Sequence, residues 1–342
     1  MFKLVSNIQI FESETATKPK WILNGICNCD IENDSESLTD TCTITIPRKV
    51  KWQGQAIGSG SNAVLKYGMK VKVFLGYGNI TSCRFFGYIR ETLPGTPIKI
   101  KLEDSMFLLK KQAALTKSYK NITIGGLLAD ILPAGIEYVT ADKSFNIEKY
   151  RIKGWTPAKV LEDLRKDYGL VCTFRNESIG NGDVKPVLYV GLPSTQWSGK
   201  NKTITVTEGH NRKEKANFLF NKNDISFQRA EDIRIKVNAT SIQSNNKKLK
   251  AEAGDADGEV RTVFAYNKSV ADLQKLAESE LSRFKYTGIR GSFEMLGRPE
   301  VEKGDFIKLE LSEGSGTYFA KKVNIFFGKR YKQTVQLGGL VK

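Results

Sequence analysis

Residues 297–339 read GRPEVEKGDFIKLELSEGSGTYFAKKVNIFFGKRYKQTVQLGG, and this stretch decides the fold class. Gly297-Arg298-Pro299 and Gly304-Asp305 have the turn composition that stops one element and starts another. From Phe306 to Leu311 the chain alternates, with Ile307, Leu309 and Leu311 on one face and Phe306, Lys308 and Glu310 on the other. That is the period of a half-buried strand. Glu313-Gly314-Ser315-Gly316 supplies a flexible turn, and Thr317 to Phe327 returns as a second strand. After Gly328-Lys329-Arg330, a third strand runs from Tyr331 to Leu337, with Tyr331, Gln333, Val335 and Leu337 on one side. Three short antiparallel strands of this kind form the meander of a small barrel or sandwich.

A similar pattern occurs near the N-terminus. Tyr67-Gly68-Met69-Lys70-Val71-Lys72-Val73 aligns with Lys303-Gly304-Asp305-Phe306-Ile307-Lys308-Leu309. In each, a glycine opens a strand whose third and fifth following residues are aliphatic, with lysine between them. An aromatic strand follows both, Arg84-Phe85-Phe86-Gly87-Tyr88-Ile89 in one and Thr317-Tyr318-Phe319-Ala320 in the other. The pair predicts an internal duplication.

The chain in order supports two such β units around a different middle. Strands are expected over 3–12, 20–30, 41–46, 69–76, 83–91 and 97–103, with a Gly/Ser-rich loop over 53–62. In the middle, Leu127, Leu128, Ile131 and Leu132 recur at helical spacing before Pro133. Thr156-Pro157 is a strong helix start, Val160, Leu161, Leu164 and Tyr168 form its apolar stripe, and Gly169 stops it. Two further strands pair across a turn at Gly180-Asn181-Gly182. Later, Ser226 to Thr240 reads as one long strand with Val260 to Tyr266 as partner, and the polar segment 241–258 as an exposed loop or arm. Ser269 with Asp272 starts a helix over 269–286. The expected fold is mainly β with an α+β insertion: two similar small antiparallel β-barrel domains, 1–115 and 206–342, separated by an α+β domain at 116–205.

Composition narrows function. At 342 residues there is ample chain for several cores, and the formal net charge of +16 favours anionic partners or a solvated basic surface. The densest basic cluster, Lys247, Lys248 and Lys250, falls in the expected arm. The N-terminus shows no signal-peptide pattern and no run is long enough to span a bilayer, so synthesis in the cytoplasm is expected. Five cysteines, odd in number and without a Cys-x-x-Cys pair, and a single histidine, His210, give no metal set. No phosphate loop, calcium loop or triad is visible, so neither an enzyme nor a cofactor is expected. The segment Arg84–Arg90 is a near miss to the aromatic strand of an RNA-binding domain, with Phe85 where a glycine belongs. A basic β-barrel protein that binds single-stranded nucleic acid through Phe85, Tyr88 and nearby lysines is therefore the rival reading.

The chain as a whole resembles the phage baseplate hub family: late-control protein D and Mu-type tail hubs, related to the T4 hub and to the N-terminal region of VgrG spikes. The resemblance rests on Thr43-Ile44-Thr45-Ile46-Pro47, on Gly68 with Phe86-Gly87-Tyr88-Ile89, and on Glu208-Gly209-His210-Asn211. It is best from Gly297-Arg298-Pro299 through Gly304-Asp305 to Thr334–Gly338. It implies tube-type barrels and a homotrimer, whose six barrels form a pseudo-sixfold ring joining the sixfold tail tube to the threefold spike. It also implies a virion tail location in a contractile phage or related injection system, with tube, spike and baseplate wedge proteins as partners and DNA passing through the lumen. Lys70, Lys72, Lys308 and Glu310 are then expected to line the lumen or meet neighbouring chains.

Overall fold

The structure, a computed structural model, describes residues 3–48, 51–52, 55–56, 64–140, 143, 146–168, 170–180, 183–191, 201–207, 217–218, 224–243, 247–266, 268–312 and 314–341. His210 with its flanking Glu208, Gly209 and Asn211, Gly169, the Asn181-Gly182 turn and most of 53–62 lie outside these residues. The chain is mainly β, with an α+β unit in its middle.

The closing meander forms as its alternation requires. The strands are Phe306–Leu311, Gly314–Phe327 and Tyr331–Leu340, joined antiparallel, and Leu311 faces Gly314 across a hairpin tighter than the sequence suggested. Ile307, Leu309 and Leu311 are buried, as are Tyr331, Gln333, Val335 and Leu337. Gln333 is satisfied in the core, because its amide donates to Leu296 O at 3.0 Å and its carbonyl accepts from Val301 N at 3.2 Å.

The early stretch folds the same way. Asp305 N bonds Glu302 O at 3.0 Å and Met69 N bonds Lys66 O at 3.3 Å, closing two equivalent turns. Gly304 and Gly68 occupy the third turn position with φ +89° and +83°, a conformation that favours glycine. Gly304 N then donates to Ala320 O, and Ala320 N to Asp305 O; Gly68 N donates to Ile89 O, and Ile89 N to Met69 O, all at 2.8–2.9 Å. A bulge follows in each case, between Ala320 and Lys322 and between Ile89 and Glu91.

Strand order repeats as well. The first unit runs Asn28–Asp34, Thr41–Ile46, Ile98–Glu103, Ile80–Leu93, Lys70–Tyr77, Leu4–Phe11, Trp21–Leu23. The second runs Ile225–Gln228, Gly288–Leu296, Tyr331–Leu340, Gly314–Phe327, Phe306–Leu311, Thr203–Thr207, Asn217–Phe218. Two neighbours differ in direction: Leu4–Phe11 is antiparallel to both Lys70–Tyr77 and Trp21–Leu23, whereas Thr203–Thr207 is parallel to both Phe306–Leu311 and Asn217–Phe218. The two units share one sheet, because Lys322–Phe327 pairs antiparallel with Cys29–Asp34. They also share one apolar core, in which Ile8, Ile44 and Val73 join Ile307, Val323 and Val335.

The middle unit has its own core on the helices Ile124–Ile131 and Pro157–Tyr168 and on two small sheets. Thr123 caps the first helix by accepting from Gly126 N at 3.1 Å. Its borders differ from those read in the sequence. Met106 and Leu109, from the helix Met106–Lys111, pack into this core, and Leu115–Thr123 pairs with Asn146–Trp155. Thr203–Thr207 belongs to the second β unit.

The segment 241–258 is not an arm. Ile235–Ile242 is the central strand of a small sheet, antiparallel to Lys248–Gly254 and parallel to Glu259–Tyr266, and the helix Val270–Phe284 covers one face. The expected long strand breaks at the 3-10 turn Ala230–Asp232, so its two halves, Ile225–Gln228 and Ile235–Ile242, enter different sheets. This module eludes the periodicity because much of its core is alanine: Ala239, Ala251, Ala265 and Ala277.

Gly304→Ala and Gly68→Ala should each lower stability by about 1–2 kcal/mol, the cost of forcing a side chain into positive φ. Gly25→Ala, where an added Cβ meets nothing within 4 Å, should be near neutral. Urea midpoints of the three variants check this.

Candidate functional site

Where the two β units and the middle unit meet, charged side chains that the strand pattern would place in solvent are buried. Arg84, within Arg84-Phe85-Phe86 of the first unit, is 6% exposed. Its Nη2 donates to Val301 O at 3.1 Å and Gln333 Oε1 at 3.2 Å, both in the second unit. Lys303, on the turn before Gly304, reaches Asp40 of the first unit at 2.5 Å, with both side chains almost fully covered. Arg175, from the middle-unit strand Val171–Gly180, donates to Asp305 Oδ1 at 2.8 Å and lies 3.5 Å from Glu302. Outside this cluster, Ser82 Oγ donates to Glu300 at 2.9 Å and Tyr77 OH to Tyr331 O at 2.8 Å.

Asp104 completes the cluster. Its Oδ1 accepts from Met106 N at 3.0 Å, while its Oδ2 has no partner. Burial, and then the nearby charge of Asp40, push its carboxyl up to about 7, against the pull of Lys303. Burial also raises Asp40 despite Lys303, and raises Asp305 despite Arg175. Burial opposes the charge on Arg175, but Glu302 and Asp305 outweigh it and hold the guanidinium protonated. A cavity of about 40 Å³ lies among Arg84, Asp104, Arg175 and Lys303, room for only a few waters. The cluster therefore joins the three units and offers no chamber for a substrate.

The expected site residues separate. Lys308 and Glu310 sit on the outward face of their strand, paired to each other at 2.7 Å with 51% and 41% of their side chains exposed. Lys72, at the equivalent position of the first unit, is 8% exposed, because Asp183 of the middle unit pairs with it and the Phe11 and Phe86 rings flank it. Lys70 is half-buried over the Phe11 ring, donates to Glu14 O at 3.0 Å, and has its ammonium lowered first by burial and then by Lys72. Lys247, Lys248 and Lys250 are exposed on the small sheet module.

The stacking platform of the rival reading is not available. Phe85 is 2% exposed, Tyr88 is 3% exposed, and Tyr88 stacks on Phe107 with centroids 5.4 Å apart. Cys29 and Cys42 face each other in the core with Sγ atoms 3.5 Å apart, and burial raises Cys42 well above the usual thiol value. Sequence reasoning missed Arg84, Asp40, Asp104, Arg175 and Lys303. The only signal was charge in apolar surroundings, as in Arg84-Phe85-Phe86.

A buried carboxyl raised above its unfolded value stabilises the fold while protonated and loses that contribution as pH rises through its folded value. Wild type should therefore lose on the order of 1 kcal/mol or more relative to Asp104→Asn between pH 5 and 8. Denaturant midpoints across that range for both proteins check the sign.

Neither a family model nor a curated protein matches the sequence. Solved structures do. A tail protein from Neisseria meningitidis superposes with TM-score 0.64 at 14% identity, over 98% of this chain and 96% of that one. The prophage MuSo2 43 kDa tail protein from Shewanella oneidensis gives 0.62 at 15% identity, over 97% and 98%. A component of the E. coli type VI secretion system, structurally similar to the T4 bacteriophage tail proteins gp27 and gp5, gives 0.57 at 11% identity, over 97% and 76%. Over nearly its full length, the chain has the fold of phage tail and type VI secretion tail proteins.

Proposed function

We propose that this chain is the structural baseplate hub of a contractile phage tail or related injection system. In this reading three copies close into a ring whose six similar β units meet a sixfold tail tube on one side and a threefold central spike on the other. The carrying observation is the duplication within one chain: equivalent glycine turns at Gly68 and Gly304, equivalent bulges, and two seven-strand sheets in matching order. Three chains so built present six near-equal barrel walls and three middle units, which is what a six-to-three adaptor requires. The likeness to tail proteins of known structure supports a tail role, with tube, spike and baseplate proteins as partners and the virion as location.

Solution mass by light scattering at low and high salt tests the ring. One chain is 38.2 kDa, so a trimer gives about 115 kDa. The expected result is a trimer that persists at high salt. A monomer at every protein concentration, with binding to single-stranded DNA that collapses steeply as salt rises, would overturn the ring in favour of the nucleic-acid reading.

A further inference from the structure

The chain contains a template for its own assembly. Inside it, the edge of Gly314–Phe327 beyond Phe306–Leu311 is taken by the first unit: Lys322↔Asp34, Val323↔Asn33, Asn324↔Glu32. The corresponding edge of the first unit is open. Past the bulge at Arg90, Glu91, Thr92 and Leu93 pair with Ile98–Glu103 on one side and, among the described residues, with no strand on the other. The second unit likewise ends in an open edge, since Ile225–Gln228 pairs only with Gly288–Leu296 among the described residues. Phe227 on that strand is 47% exposed.

The shared turn and bulge fix the correspondence. Ile89 matches Ala320, and so Glu91 matches Lys322; the ladders then carry Lys101 to Gln336 and Thr43 to Ser292. One strand further out, Ile225 matches Ile31 and Gln228 matches Asp34. We propose that Glu91–Leu93 of one copy pairs antiparallel with Ile225–Gln228 of a second copy, in the register Glu91↔Gln228, Thr92↔Phe227, Leu93↔Ser226.

This inference rests on the ring proposed above and supplies its seam. Each copy then offers one edge of each kind, a heterologous contact that closes into a ring. Unpaired strand edges invite such pairing. Across the internal seam Lys322 and Lys321 face Asp34 and Glu36, at 3.9 and 2.8 Å, so the template itself is held by ladder and charge while the open edges offer the ladder alone. At the open edges the register sets Arg90 opposite Arg229, two exposed side chains that Glu103 and Glu231 of their own chains already hold. Both Arg229 and Glu231 are well exposed.

The test uses the full chain with Thr92→Cys and Phe227→Cys together, both at solvent-accessible edge positions. With the exposed Cys27 first replaced by serine in every variant, mild oxidation should give disulfide-linked dimers and trimers on a non-reducing gel, which reductant abolishes and which neither single variant forms. Mixing the two single variants should give dimers only. Self-linked dimers from either single variant alone would mean a twofold contact and overturn the proposal. If wild type is a trimer by mass yet neither this pair nor Leu93→Cys with Ser226→Cys links, the seam is wrong while the ring stands. A chain that is monomeric and unlinked overturns both.

Discussion

Everything in this chain hangs on one backbone ladder, the antiparallel pairing of Cys29–Asp34 with Lys322–Phe327. It unites residues nearly three hundred positions apart and turns two separate sheets into one. Without it, the terminal strand Cys29–Asp34 of the first unit and the flank Lys322–Phe327 of the second would each present unpaired backbone groups. With it, Ile31 and Ile325 become neighbours in a core neither unit could close alone.

The buried charges act on orientation more than on stability. Taking Lys303, Asp40, Arg175 and Asp305 out of water costs about as much as their pairing returns, so apolar replacements could hold the units together as strongly. What ionic pairs add is direction. Asp40 accepts only where Lys303 can reach it, and Arg175 fixes the middle unit against the turn at Gly304-Asp305. An apolar contact tolerates sliding; these pairs do not. The three units are thereby held at set angles by groups that belong to all three.

Much of this was legible from residues. The period-two runs at Phe306–Leu311 and Tyr331–Leu337 located strands and their buried faces, since alternation follows directly from the pleat. The glycine at the head of both meanders exposed the duplication, because a turn that needs positive φ leaves its mark as Gly68 and Gly304. The alanine-lined module at 235–284 was not legible: small side chains give little apolar contrast, and the lysines of Lys248–Gly254 on its open face look like loop. Nor were Arg84 and Asp104, since burial of a charge depends on partners from distant strands and leaves no local period.

The duplication holds in strand order and in the central antiparallel ladders, changes strand direction at the outer neighbours, and is broken where the middle unit packs. Lys72 and Lys308 occupy equivalent positions, each one residue before an aliphatic core position, yet Asp183 covers the first and the second remains open beside Glu310. The hydrophobic patch of Phe86, Tyr88 and Phe107 that receives Val184 belongs to the first unit's strand and the helix after it. The two units therefore carry unequal outer faces: Lys72 is covered within the chain and Lys308 is exposed. Repeated backbone with one appended unit thus gives a chain whose two halves share strand order but not surface chemistry.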